Sequence, residues 1–300
     1  MLSIIIPCYQ YPTFDLVEEL HSQCSSLAIP FEIIVKDDCS KNQFNNFKIN
    51  QLTNCSYLIS PENKGRSITR NDLIKQTKYP WILMLDCDMM PSTKEFISNY
   101  INRIENQEDV IFGGIEYQKN LSNKNEMLRW IYGTEREAKS ASERNESLYK
   151  NFLCSNTLFS RKIFDSILFD EEISTYGYED LLLSKEVINS GFNVLHIDNT
   201  ALHLKLDNSS LFLDKVEKST QTLAKLILNK KMDWQDTKLS AYYEKNNNNL
   251  SFKVLRFAFK SLNLKFFLKQ HLLSTKPRLK YLDLYRLLIF DQNYHQLKNQ

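Results

Sequence analysis

The first 115 residues alternate short apolar runs with segments whose apolar residues recur at helical spacing. Continuous apolar runs of this length are typical of strands that are buried on both faces. Strand and helix in alternation predict a mostly parallel sheet with right-handed crossovers. The predicted strands are 2–6, 31–35, 57–59, 81–85 and 110–112, and the predicted helices are 14–27, 67–77 and one that begins near Ser92.

The second half of the chain has a less regular pattern. We predict helices over 126–142, 179–189 and 211–228, a strand over 152–159, and a pair of short strands at 195–197 and 201–204. A single histidine in an apolar stretch is usually a core residue, so we expect His196 to be buried. Beyond an asparagine-rich break at 246–249 the pattern is helical again. We therefore predict two domains, a sheet domain over 1–232 and a helical tail over 250–300.

The composition is that of an ordinary soluble globular protein, with 42% hydrophobic and 25% charged residues in 300. This excludes wholesale disorder and collagen-like repeats. The six cysteines form no C-x-x-C pair and have no histidines at zinc-site spacing, so we expect reduced thiols and a cytoplasmic location. The N-terminal apolar run is too short for a signal peptide, and no stretch reaches the ~18 apolar residues of a membrane span.

Charge is distributed unevenly along the chain. Residues 251–290 contain nine Lys or Arg and one acid, a net charge of +8, whereas the whole chain carries only +2. The overall balance is no signature of nucleic-acid binding, so we expect no nucleic-acid partner. Within the tail, apolar residues recur at helical spacing between the basic ones, as in Phe252, Leu255 and Phe259. Three alternatives follow: the tail packs on the sheet domain, forms a homodimer contact, or lies on the anionic inner face of the plasma membrane.

Polar residues follow three of the predicted strands directly. Tyr9 follows the first strand, Asp37 and Asp38 end the second, and Asp86-Cys87-Asp88 follows the fourth. In parallel sheets ligands bind at the carboxyl ends of the strands, so this edge is the predicted site. Two carboxylates one residue apart can hold a divalent cation or contact the sugar and phosphate oxygens of a ligand. The alternative is a solvated turn.

Two further segments offer suitable chemistry for an anionic ligand. The loop around Gly65 precedes a helix and carries Lys64 and Arg66, with Arg70 one turn later. These cations and the loop amides would line a diphosphate, although a plain turn with solvated charges explains them equally well. Glu179 and Asp180 begin a predicted helix, where the helix dipole favours acidic residues in any case.

Five motifs in order make the chain similar to the family 2 glycosyltransferases of GT-A fold, over residues 1 to about 205. They are Ser3–Tyr9, Glu32–Ser40, Glu62–Asn71, Leu85–Asp88 and Tyr176–Asp180. Residues 176–203 resemble in particular the bacterial members that build surface polysaccharides. The resemblance implies an α/β fold, a Rossmann-like, mostly parallel sheet flanked by helices. The helical C-terminal extension lies outside it.

The resemblance also implies a role for each matching residue. Pro7 and Tyr9 would frame the nucleotide base, Asp38 would bind the base edge of a UDP-linked donor, and Lys64, Arg66 and Arg70 would line the nucleotide. Asp86 would contact ribose or metal, Asp88 and His203 would hold Mn2+ or Mg2+, and Asp180 would be the catalytic base with Glu179 beside it. One departure is Cys39, which stands where relatives usually have glycine.

The implied activity is a metal-dependent, inverting transfer of a sugar from a nucleotide-sugar to a hydroxyl group of a glycan or lipid-linked acceptor. One alternative is a sugar-nucleotide nucleotidyltransferase, which the lack of glycine in residues 7–10 disfavours. Another is a non-catalytic, membrane-associated scaffold, which the presence of Asp86, Asp88 and Asp180 disfavours. The sugar-transfer hypothesis requires that Asp86, Asp88, the pair at 179–180 and His203 share one pocket.

Overall fold

A computed structural model describes residues 1–104, 108–121, 123–173 and 175–299. Its strands are β1 (Leu2–Cys8), β2 (Phe31–Asp37), β3 (Cys55–Ile59), β4 (Trp81–Leu85), β5 (Met89–Pro91), β6 (Val110–Phe112), β7 (Ile115–Glu116), β8 (Asn156–Ser160), β9 (Val194–His196) and β10 (Ala201–His203). The five strands predicted in the first 115 residues are all present. The prediction succeeds for β1, β2, β4 and β6 because each is an apolar run buried on both faces. β3 is an edge strand in which Leu58 and Ile59 are exposed.

The helices follow the predicted order but not every predicted boundary. They are α1 (Phe14–Ser26), α2 (Arg66–Gln76), α3 (Phe96–Ile101), α4 (Met127–Tyr132), α5 (Ala141–Asn145), α6 (Glu179–Asn189), α7 (Ser209–Leu228), α8 (Lys238–Asn246), α9 (Leu250–Ser261), α10 (Leu264–Leu272) and α11 (Leu279–Lys298). The single helix predicted over 126–142 is wrong: a π-helical turn at Gly133–Glu137 separates α4 from α5. Among the described residues, no helix is long and apolar enough to cross a bilayer.

The central sheet has seven strands in the order β3-β2-β1-β4-β8-β6-β9. Four of its neighbouring pairs are parallel, and the two that include β8 are antiparallel. The fold is therefore α/β with a mainly parallel sheet, as the alternation predicted. The core contains apolar side chains from several of these strands, including Ile5, Ile34, Met84 and Phe112.

A second, three-stranded sheet has the order β5-β10-β7. The pairing of the two short strands around His196 and His203 was therefore predicted wrongly. β9 joins the central sheet beside β6, whereas β10 pairs antiparallel with β5 and parallel with β7. As predicted, His196 is a core residue, 2% exposed, and burial lowers its pKa to about 4.

The chain divides into two compact units. The first comprises Met1–Gln118, Arg136–Ser174 and Glu179–Lys205, and the second comprises Lys119–Glu135, Thr175–Tyr178 and Leu206–Gln300. In the second unit, α7 packs with α10 and α11 around an apolar cluster that includes Phe212, Leu272 and Leu282. α7 thus groups with the tail helices, although the boundary predicted at 232–250 assigns it to the sheet domain. The assignment of domains stays a prediction.

The turn after β2 has a left-handed backbone at Cys39, with φ of 62°. This is the position where the resemblance leads us to expect glycine, and the structure gives the reason. Only glycine adopts this region of φ without a steric penalty from Cβ, which costs other residues roughly 1–2 kcal/mol. The turn keeps its geometry because Asp37 Oδ1 accepts a hydrogen bond from the Ser40 amide at 2.7 Å.

We therefore expect stability to follow the order Gly, Cys, Val at position 39. Cys39→Gly should raise the free energy of unfolding by up to about 1 kcal/mol, because relief of strain exceeds the entropy that glycine adds to the unfolded chain. Cys39→Val should lower it by about 1–2 kcal/mol, because a β-branched side chain tolerates positive φ poorly. Urea denaturation measures both. A valine variant as stable as the natural protein would contradict a strained turn.

Candidate active site

The residues predicted to form the site lie in the first compact unit, at one edge of the central sheet. β1, β2 and β4 run parallel, so Tyr9, Asp38 and Asp86 follow strand ends that face the same way. The loop at 61–65 leads into α2 at this edge, and α6 begins with Glu179 and Asp180. Direct contacts described below join these elements.

A buried guanidinium connects the predicted catalytic base, Asp180, with Asp86, which was predicted to contact ribose or metal. Arg70 is completely buried; its Nη1 donates to Asp180 Oδ1 at 2.7 Å and its Nη2 donates to Asp86 Oδ1 at 2.9 Å. The guanidinium also lies 5.1 Å from the centre of the Phe169 ring. Arg70 was expected to line the donor nucleotide. It instead faces these two carboxylates, because a buried cation needs anionic partners.

Asp180 is fixed by two donors. Besides the Arg70 contact, its Oδ2 accepts a hydrogen bond from the Cys154 amide at 3.0 Å. Each carboxylate oxygen can accept a second hydrogen bond, so Asp180 keeps capacity for a substrate proton. Glu179 is also buried: its Oε1 lies 3.1 Å from Arg66 Nη1, and its Oε2 makes no hydrogen bond. The two acids are therefore held by different arginines.

The two carboxylates of the D-C-D motif have opposite electrostatic environments. Burial works to raise the pKa of Asp86, but the charges of Arg70 and Arg66 outweigh it and hold that pKa below its usual range. Burial raises the pKa of Asp88, and repulsion from Asp86 adds to the effect, while His203 partly opposes it. Asp86 is thus neutralised within the protein, whereas Asp88 gains most from an added cation.

Strand pairing brings His203 to Asp88. In the antiparallel pair of β10 and β5, His203 lies opposite Met89, and the Leu204 amide donates to the carbonyl of Asp88 at 2.8 Å. His203 Nε2 is 3.8 Å from Asp88 Oδ2. The imidazole stacks on the ring of Tyr117 at 5.5 Å, which fixes its plane.

These positions allow a partial test of the predicted metal ligands Asp86, Asp88 and His203. Two atoms 3.8 Å apart can both lie within about 2.1 Å of one ion, so Asp88 and His203 fit a divalent cation. Asp86 is engaged by Arg70 instead. In the part of the chain that the structure describes, no three His, Cys, Asp or Glu side chains form a metal-binding cluster. A bound cation would need further oxygen ligands, such as those of a diphosphate.

Asp38 organises the loop that carries the predicted nucleotide-binding cations. Its two carboxylate oxygens accept hydrogen bonds from the amides of Lys64 and Gly65, each at 2.8 Å. Its carbonyl oxygen accepts another from the Asn63 side chain at 2.9 Å. If Asp38 also binds the base edge, as predicted, its carboxylate must bind both the base and the loop amides. The side chains of Lys64 and Arg66 remain exposed at the surface.

Tyr9 is 52% exposed, as a residue that stacks on a base would be in the free protein. Pro7 is part of β1 and partly buried, where it lies opposite Lys36. The Cys8 side chain and burial raise the pKa of the Cys87 thiol well above its usual range. Tyr9 and Pro7 thus lie next to the site. Among the described hydrogen bonds and ion pairs, none joins either residue to the acids of the site.

Sequence reasoning missed four residues of this site. Tyr117 supports His203, and the Cys154 amide supports Asp180. Tyr11 lies near Asp88; burial and this carboxylate raise its pKa to about 12. Lys205 lies 5.5 Å from the Tyr11 ring centre, which puts a cation close to the motif. Of these four residues, only Lys205 could have been predicted from the sequence, because it lies two residues after the predicted metal ligand His203.

Comparison with known proteins assigns the chain to a family. The family model "Glycosyl transferase family 2" matches residues 3–168, more than half of the chain. A curated relative, "Chondroitin synthase" of Pasteurella multocida (strain Pm70), is 25% identical over 219 residues, or 60% of this chain. The aligned part is 22% of that relative, so the chain spans about a fifth of its length.

Two solved structures have a similar fold. The mannosyltransferase PcManGT from Pyrobaculum calidifontis, solved in complex with GDP-Man and Mn2+, has a TM-score of 0.59 at 13% identity, covering 98% of this chain and 86% of that one. S. aureus TarS 1-349, in complex with UDP-GlcNAc, has a TM-score of 0.52 at 18% identity, covering 98% and 91%. At these identities the likeness shows the GT-A fold. With the family match, it establishes that the chain belongs to glycosyl transferase family 2 and is a glycosyltransferase.

Proposed function

We propose that the enzyme transfers a sugar from a UDP-sugar to a hydroxyl group of a glycan or lipid-linked acceptor, with inversion and with Asp180 as general base. The observation that carries the proposal is the single cluster formed by Arg70, Asp86 and Asp180, next to the Asp88–His203 pair. Two named similar proteins support the substrate class: one was solved with UDP-GlcNAc, and the other is a chondroitin synthase.

The proposed reaction is one displacement at the anomeric carbon. The acceptor oxygen forms a bond to this carbon while the bond to the donor phosphate oxygen breaks, and the nucleoside diphosphate leaves with the electron pair. The acceptor hydroxyl must lose its proton, and Asp180 would accept it. Arg70 and the Cys154 amide hold the Asp180 carboxylate in one orientation, which fixes the direction from which the acceptor is deprotonated.

Charge accumulates on the leaving diphosphate, and the proposed site offers cations on its nucleotide side. Lys64, Arg66 and Lys205 are exposed side chains at this edge. A Mn2+ or Mg2+ ion held by Asp88 and His203 would neutralise the diphosphate as a Lewis acid. The imidazole ligand favours Mn2+, because Mg2+ prefers an all-oxygen shell. The PcManGT complex with Mn2+ is consistent with this preference.

Asp180→Asn should abolish transfer and retain donor binding. Loss of a general base costs typically 10²–10⁴-fold in kcat, while the amide keeps the size of the side chain and its contact with the Cys154 amide. The matched control is Glu179→Gln in the adjacent buried acid. Transfer kinetics and UDP titration calorimetry measure the two properties. A larger loss of kcat in Glu179→Gln would assign the base to Glu179, and full activity in both would end the proposed mechanism.

UDP binding should depend on a divalent ion and on the Asp88–His203 pair. We expect Mn2+ to strengthen UDP binding more than Mg2+, and Asp88→Asn or His203→Ala to remove the metal effect. His21→Ala, in α1, is the control. Because the pKa of Asp88 is raised, the metal effect should weaken as pH falls toward that pKa, above the ordinary value of about 3.9. UDP binding that is identical with Mn2+ and with a chelator would contradict the metal site.

Arg70→Met should lower the free energy of unfolding by about 3–5 kcal/mol at neutral pH, because it leaves two partly buried carboxylates without their cation. Arg70→Lys should recover part of this, since an ammonium cannot donate to both acids in the same way. The lowered pKa of Asp86 stabilises the fold above its unfolded-state pKa, and this contribution disappears as pH falls through the folded-state value. Denaturation at several pH values should therefore show the deficit of Arg70→Met shrinking in acid; a constant deficit would contradict the pairing.

A further inference from the structure

The second compact unit exposes large apolar side chains on two consecutive helices. On α9 they are Leu250, Val254 and Phe257, which recur at intervals of four and three residues and so share one helix face. After α9 follow Leu262, Phe266 and Phe267, the last two in α10. Phe257, Phe266 and Phe267 are 60%, 58% and 63% exposed. We call these six residues the α9–α10 face.

This face is not the side of the helices that packs into the protein. α9 buries Phe252 and Phe259, which are 3% and 4% exposed, and α10 buries Leu268 and Leu272. Phe259, Leu268 and Leu272 belong to the apolar cluster with α7 and α11. The sequence pattern indicated one apolar line at helical spacing, which includes Phe252 and Phe259. The structure shows a second set of apolar residues, among them Leu262 and Phe266, that stays exposed. The helices are apolar on two sides, and only one side is covered within the unit.

The segment of the chain that carries this face has charges of one sign. Residues 245–282 contain nine Lys or Arg and no Asp or Glu. Three of the nine face acids of α7 and α11: Arg256 binds Asp291 at 2.6 Å, Lys265 lies 3.7 Å from Glu217, and Lys269 lies 4.0 Å from Asp214.

The cations of α9 next to the exposed apolar residues are oriented differently. Lys253 and Lys260 are exposed on α9. At 100° per residue they flank the line of Leu250, Val254 and Phe257 on one side. A partner of this surface must therefore accept apolar side chains and carry negative charge.

We propose that the α9–α10 face docks the enzyme on the surface of an anionic lipid bilayer. In an interfacial helix, apolar and aromatic side chains enter the boundary of the acyl chains while lysines contact anionic headgroups. α9 has 12 residues and α10 has nine, so neither approaches the ~20 residues that cross a bilayer. The helices lie on the membrane rather than in it. The proposal is independent of the sugar-transfer chemistry, because it uses none of its residues.

Charge and side-chain chemistry argue against two other partners for this face, a second copy of the chain and a nucleic acid. A second copy of the chain would bring the exposed Lys253 and Lys260 of both copies together, with no acid in residues 245–282 of either copy to pair with them. A nucleic acid would satisfy the charge, but the apolar residues of the α9–α10 face are Leu, Val and Phe, and the aliphatic ones offer nothing for a base to stack on. The bilayer surface satisfies both the charge and the apolar area.

The test is co-sedimentation of the full chain with vesicles of phosphatidylcholine alone and with vesicles that contain phosphatidylglycerol. We expect binding to the anionic vesicles only, weakened by salt. The triple variant Phe257→Ser, Phe266→Ser, Phe267→Ser should lower vesicle affinity by at least about tenfold, given the apolar area removed from water for each ring. Lys253→Gln and Lys260→Gln should each lower it by about fivefold.

The matched control replaces exposed aromatic residues of the first compact unit, Phe44→Ser with Phe47→Ser, and should bind as the natural chain does. Thermal unfolding of each variant separates loss of binding from loss of folding, and UDP titration shows that the active site is intact. Three outcomes would overturn the proposal: no binding to anionic vesicles, equal binding by the triple variant, or a concentration-dependent dimer in analytical ultracentrifugation that the triple variant abolishes. Failure of vesicle binding with normal sugar transfer would refute the docking face alone.

Discussion

The active site depends on one buried cation. Arg70 of α2 is enclosed by protein, and a charge so placed is tolerated only when anions are fixed beside it. Its two partners come from the end of β4 and the start of α6, and Asp180 lies 110 residues further along the chain. The ion pairs therefore position α6 against the carboxyl edge of the sheet. The geometry of the proposed catalytic site and the stability of the fold therefore depend on the same contacts.

This arrangement divides the acids of the site into two groups. Asp86 and Asp180 both pair with Arg70, so their charge is balanced within the protein. Asp88 forms no ion pair with Arg70 among the described contacts, and burial raises its pKa. It is the carboxylate that gains most from a cation brought with the substrate. The site thus combines fixed ion pairs around Arg70 with one carboxylate, Asp88, that can hold an added cation. This combination suits a reaction in which negative charge appears on a leaving group.

The second compact unit is packed differently. Its apolar cluster is built from one side of α9 and α10 together with α7 and α11, and the other side of α9 and α10 exposes Phe257, Phe266 and Phe267. A helix needs only one apolar stripe to pack in a bundle. A second stripe, in a segment without a single acid, adds nothing to that packing. This second stripe is the basis of the proposed docking on an anionic bilayer.

Much of the fold and the site could be read from local pattern. Apolar runs predicted β1, β2 and β4, and polar residues directly after them predicted the edge at which Tyr9, Asp38 and Asp86 lie. Glu179 was predicted as the first residue of its helix, and it is. These features are local, because strand and helix periodicity is set by neighbours within a few residues. The motif order was sufficient to indicate the family.

Other features were decided by contacts that no periodicity encodes. β8 runs antiparallel within a sheet predicted as mostly parallel, and β10 pairs with β5 rather than with β9, which brings His203 to Asp88. Arg70 turns toward two acids rather than toward solvent because the fold buries it. The pattern of residues determined which segments form strands, helices and charged turns. The tertiary structure alone decided which of them meet, because pairing across a hundred residues depends on the burial of whole elements against one another.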